Sequence, residues 1–172
     1  MFVGGGPGDP TMADPEALKR ATELWQEGCR YQMAGDLERA IDTYKRSIEV
    51  CPTAEAHTYL GWTYSFQGRL EEATAECLRA IEIDPDFGNP YNDIGVYLMQ
   101  QDRMDEAISW LEKAKRASRY EPRQFPYMNL GRIYLKQGKW WDALREFEGA
   151  ARMAPQDAEA RKALHTLRGR LN

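Results

Sequence analysis

Four glycines, Gly28, Gly61, Gly95 and Gly131, recur at intervals of 33, 34 and 36 residues, and their surroundings recur with them. Three residues after each glycine stand Tyr31, Tyr64, Leu98 and Tyr134. Seven after come Gly35, Gly68, Asp102 and Gly138, and twelve after come Ala40, Ala73, Ala107 and Ala143. Nineteen after come Ser47, Ala80, Ala114 and Ala150, and twenty-four after come Pro52, Pro85, Arg119 and Pro155. Self-similarity at this period means one supersecondary unit per copy, stacked because no single unit can bury its apolar face. Glycine inside a helix costs ~1 kcal/mol against alanine. Four at one offset need a packing reason, which close pairing of two helix backbones supplies. Leu37, Leu70, Met104 and Trp140, just after the turn, are read as packed, and Cys77, with Tyr44, Leu111 and Phe147, as core. Pro90 and Pro126, five before their glycines, fit the first turn of a helix.

Over residues 21 to about 156 this pattern resembles the tetratricopeptide repeat (TPR) family. The resemblance implies an all-α fold: a right-handed α–α superhelix, or TPR solenoid, of antiparallel helix pairs with a C-terminal capping helix. Repeats fall at about 21–53, 54–87, 88–123 and 124–157, with the cap over 157–170, where His165 and Arg168 put polar groups at packed offsets. Glu27 departs from the pattern in the first copy, Asp102 stands for the turn glycine, and Arg119 for the closing proline. Residues 14–172 read as a single domain whose first helix opens on Asp14 as N-cap and Pro15 at its first position. Residues 1–13 (MFVGGGPGDPTMA) are expected to be a disordered tail, lacking the basic and apolar regions of a secretory signal.

Composition narrows the class. Five Trp, nine Tyr and five Phe in 172 residues are too much aromatic surface for a disordered chain. No run approaches the ~18 apolar residues of a bilayer span, so no membrane insertion is expected. The net charge of −4 argues against a nucleic-acid partner. Lys113, Lys115, Arg116, Arg119 and Arg123 form a basic run that reads as solvated cations near a helix C-terminus. Three cysteines imply no disulfide framework and point to a reducing, cytoplasmic compartment.

No catalytic constellation is expected. His57 stands where the family commonly has Trp and reads as packed, and His165 lies in the cap. Cys29, Cys51 and Cys77 occupy unrelated offsets with no histidine at ligand spacing, so no metal is expected. Gly4 to Gly8 lack the strand and Gly-Lys-Ser/Thr of a phosphate loop, and no cofactor is expected.

The resemblance implies instead a non-catalytic adaptor, scaffold or assembly factor, binding a peptide or helix of a protein partner in a concave groove. The first helix of each repeat would line it with Trp25, Cys29 and Met33; Tyr59, Trp62 and Phe66; Asn92, Asp93, Val96 and Met99; and Met128, Asn129, Arg132 and Lys136. Its early part is aromatic, as binding hot spots are. The asparagines can bond a peptide backbone, and Arg132 and Lys136 suit an acidic residue. Packing of some aromatics against neighbouring helices is the other reading. Trp25, Cys29, Tyr59, Asn89 and Asp93, at the offsets of the family's terminal-carboxylate clamp, include no basic residue. Trp141, at the exposed place of Glu38, Glu71 and Asp105, marks either a second contact surface or a ring lying flat on its neighbour. A self-associating structural protein, using Trp141 or end-to-end stacking, is the alternative.

Overall fold

The computed structural model describes residues 14–171; the expected tail at 1–13 lies outside them. Among the described residues there are nine helices and no strand. They fall into two compact units that divide between Asp84 and Pro85.

The first unit holds α1 (Pro15–Met33), α2 (Leu37–Val50), α3 (Ala54–Phe66) and α4 (Leu70–Ile83). Helix starts follow local chemistry. Asp14, Asp36 and Thr53 each accept a backbone N–H of the first turn that has no partner inside the helix. Consecutive helices pack in pairs, and the glycines show why. A Cβ on Gly28 would lie 2.5 Å from the Tyr44 ring, and one on Gly61 would lie 2.8 Å from the carbonyl oxygen of Ala73. Ala40 and Ala73 are fully buried at the facing offset. Ser47 adds a buried tie, its hydroxyl donating to the Ala21 carbonyl at 2.7 Å.

The second unit holds α5 (Asn89–Gln100), α6 (Met104–Arg116), α7 (Gln124–Lys136), α8 (Trp140–Met153) and α9 (Ala158–Leu171). A Cβ on Gly95 would meet Leu111 at 2.7 Å, and one on Gly131 would meet Phe147 at 2.4 Å. Tyr44, Cys77, Leu111 and Phe147 thus fill the same place in four helix pairs, all fully or almost fully buried. The expected cap helix is α9, whose Ala160 and Leu167 close a core with Met128, Ala143, Phe147 and Ala150.

The turns within the four pairs share one backbone device. Gly35, Gly68 and Gly138 have φ of 78°, 73° and 70°, and Asp102 takes 61° in place of glycine. Asp tolerates the left-handed region better than most residues. The longer link after α6 is anchored where Arg119 replaces proline. Arg119 N–H donates to Asp86 O at 3.0 Å, and Gly88 N–H donates to Arg119 O at 2.9 Å.

Candidate functional site

In the first unit α1 and α3 set four aromatic side chains in a row. Trp25 meets Tyr59 edge-on at 5.4 Å between ring centroids. Tyr59 meets Trp62 at 5.8 Å, and Trp62 meets Phe66 at 5.3 Å. The spacing 59, 62, 66 puts three of the rings on one helix face. Trp25 and Tyr59 are half-buried between the helices, whereas Trp62 is 44% and Phe66 56% exposed. Met33, at the end of α1, is 89% exposed. Cys29 is half-buried, and burial pushes its thiol up despite a hydrogen bond with Tyr44.

In the second unit the polar residues are already engaged. Asn129 donates to Asn92 Oδ1 at 3.0 Å, and Arg132 Nη1 donates to Asn129 Oδ1 at 2.9 Å. The other Arg132 nitrogen pairs with Glu159 of α9. Lys136 Nζ lies 2.6 Å from Asp102 Oδ1 in the preceding turn. Asn92 and Asn129 are buried, so they bond each other where the sequence pointed to a peptide backbone. Asp93 and Val96 are half-buried, as is Met99. Burial pushes the Asp93 carboxyl up to about 7, against the pull of the Asn92 amide. Met128 is in the core under α9 rather than on an open face, because the cap supplies it with apolar partners.

The indole of Trp140, expected to be packed, is 43% exposed, and Trp141 is 66% exposed. The equivalent residues Leu37, Leu70 and Met104 are only half-buried, so an indole at this place outgrows the space. The basic run is dispersed. Lys115 pairs with Glu112 and Glu146, Lys113 stands over Trp110, Arg119 over Phe87, and Arg123 donates to Ser118 O.

His57 is buried with its Nδ1 2.6 Å from Glu76 Oε2, and Arg79 holds the other Glu76 oxygen at 2.9 Å. Sequence reasoning missed this partner. A signal was available, since Glu76 stands at the repeat offset of buried Thr43. Among the described residues no three His, Cys, Asp or Glu side chains gather as metal ligands. Among the described residues no helix is long and apolar enough to cross a membrane.

Two family models, both described as tetratricopeptide repeat, match residues 54–87 and 86–156. Residues 54–156 are tetratricopeptide repeats. Offsets from Gly28 extend the same pattern to the first copy. The type IV pilus assembly protein PilF of Pseudomonas aeruginosa is 26% identical over 152 residues, covering 88% of this chain and 60% of its own length. A small glutamine-rich tetratricopeptide repeat-containing protein 2 from Mycosarcoma maydis is 30% identical over 57% of this chain and 28% of its own length. The chain therefore spans less than two thirds of these relatives. The solved structure of Pseudomonas aeruginosa PilF superposes with a TM-score of 0.81 at 24% identity, over 88% of this chain and 69% of that one. The fold is thus an all-α TPR-type helical repeat.

Proposed function

We propose that the protein is a non-catalytic interaction module, serving as an adaptor, scaffold or assembly factor, and that an apolar segment of a partner protein docks on the α1–α3 face of its first unit. One observation carries this reading: the row Trp25–Tyr59–Trp62–Phe66 is anchored at one end between two helices and open at the other. Aromatic side chains bury much area at low conformational cost, which makes them binding hot spots. Met33 adds adaptable apolar surface beside them. In the second unit Arg132 and Lys136 already hold carboxylates of their own chain, so the aromatic face contributes most of the binding. The assembly role named for PilF supports the same class of function. A cytoplasmic location belongs to this proposal and rests on the three free thiols.

The test is the double substitution Trp62→Ala with Phe66→Ala. Both side chains are about half exposed and neither belongs to the buried core, so helical content and melting should stay close to wild type while partner capture from the native cell is lost. Capture that survives the change would sink the reading.

A second reading is self-association through the adjacent exposed indoles of Trp140 and Trp141. Light scattering of concentrated protein tests it. A strict monomer sinks it.

A further inference from the structure

We propose that the segment docking on the α1–α3 face is a basic one, in which arginine or lysine side chains lie flat on the rings of Trp62 and Phe66 while the apolar residues between them cover Met33. The inference rests on the docking face proposed above and specifies its partner.

Two independent observations carry it. Charge is divided unevenly along the chain. Residues 14–84 hold fourteen Asp and Glu against eight Lys and Arg, a net −6. Residues 85–171 hold twelve against fifteen, a net +3. The mild net charge of the whole therefore hides a strongly acidic unit. Its potential raises the local concentration of cations and steers basic segments toward its surface. The second observation is the ring inventory of that unit. Arg69 stands 4.1 Å over Tyr64, and Arg39 stands over Tyr31. These rings already hold cations from their own chain. Among the described residues no cation stands over Trp62 or Phe66, although both rings reach solvent. Trp presents the best ring face for a cation, and a guanidinium stacks on it while keeping part of its hydration. An acidic segment would face the same rings against the field of the unit. A neutral one would gain the apolar contact alone.

The test uses the full chain and three synthetic peptides of alternating sequence: arginine with leucine, glutamine with leucine, and glutamate with leucine. Calorimetry gives the affinities, and the indole N–H resonances of Trp25 and Trp62 report the place of binding. The arginine peptide is expected to bind at least tenfold tighter than the glutamine peptide, to weaken as salt is raised, and to shift the Trp62 resonance. Trp62→Ala should cost about tenfold or more in affinity, and Trp62→Leu, which keeps apolar bulk, should weaken the preference for arginine, leaving the share due to Phe66 and the charge of the unit. If the glutamine peptide binds equally well and still loses affinity on Trp62→Ala, the basic preference is overturned and the docking face stands. If no peptide responds to Trp62→Ala, both are overturned.

Discussion

The imidazole of His57 and the carboxylate of Glu76 meet at 2.6 Å inside the first unit, tying α3 to α4. The carboxylate is nearly buried, so it is retained only because His57 and Arg79 both reach it. Removing it leaves the imidazole facing an apolar gap. Glu76→Ala should therefore destabilise the protein by about 1–3 kcal/mol, the cost of an unsatisfied buried polar group. Glu76→Gln, which keeps an acceptor, should cost less. Urea denaturation of the two variants ranks them. Equal stability of all three proteins would contradict a structural role for the pair.

The helical glycines should respond to alanine in opposite directions according to what faces them. Gly61→Ala places a methyl 2.8 Å from a backbone carbonyl that cannot move aside, and Gly131→Ala places one 2.4 Å from the Phe147 ring. Overpacking of this kind costs about 1–3 kcal/mol. Gly169 lies in α9 with nothing within 4 Å of the added atom. Gly169→Ala should raise stability by about 0.5–1 kcal/mol through helix propensity alone. Thermal melting should move down for the first two and up for the third.

The repeats were legible in the sequence because backbone contact leaves no choice of residue. Only Gly fits where Tyr44, Leu111 or Phe147 lies against the helix, and the left-handed turn favours Gly, with Asn or Asp as its usual substitutes. Asp102 could be assigned from its offset alone. What could not be read was which charge meets which across copies. Arg132 and Lys136 offered positive charge to a partner, yet Glu159 and Asp102 stand some thirty residues away in sequence and beside them in space. Periodicity places a residue on a face but not opposite a particular carboxylate. Met128 went to the core for a similar reason, since the cap that covers it follows the repeats.

Asp93 gives the stability a pH dependence of known sign. Its carboxyl is pushed up to about 7 in the folded protein by burial, from an ordinary value of 3.8. Between those two values the folded state holds a proton that the unfolded chain has released. Stability from this group is therefore greatest at low pH, falls as pH rises through that window, and levels off above it. Asp93→Asn keeps an acceptor for Asn92 and removes the titration. The variant should be more stable than wild type at pH 8 and the gap should close at about pH 4. Denaturant midpoints across that range test this, and a gap independent of pH would contradict it.

Trp141 separates interaction with a partner from interaction with self. Its ring is 66% exposed, so Trp141→Ala should leave melting within about 0.5 kcal/mol of wild type, as exposed substitutions do. If the protein is a partner-binding module, light scattering should give the same mass for variant and wild type. A mass that falls on substitution assigns Trp141 to an interface between copies.

The exposed end of the aromatic row is where the partner is expected to dock. Placing a photo-crosslinking amino acid at Phe66, and in separate proteins at Trp141 and Met153, tests it in the native cell. All three sites are exposed and apolar, so they differ in location rather than in accessibility. A discrete adduct with one partner is expected from position 66 and none from 141 or 153. An adduct from 141 or 153 with none from 66 would contradict it.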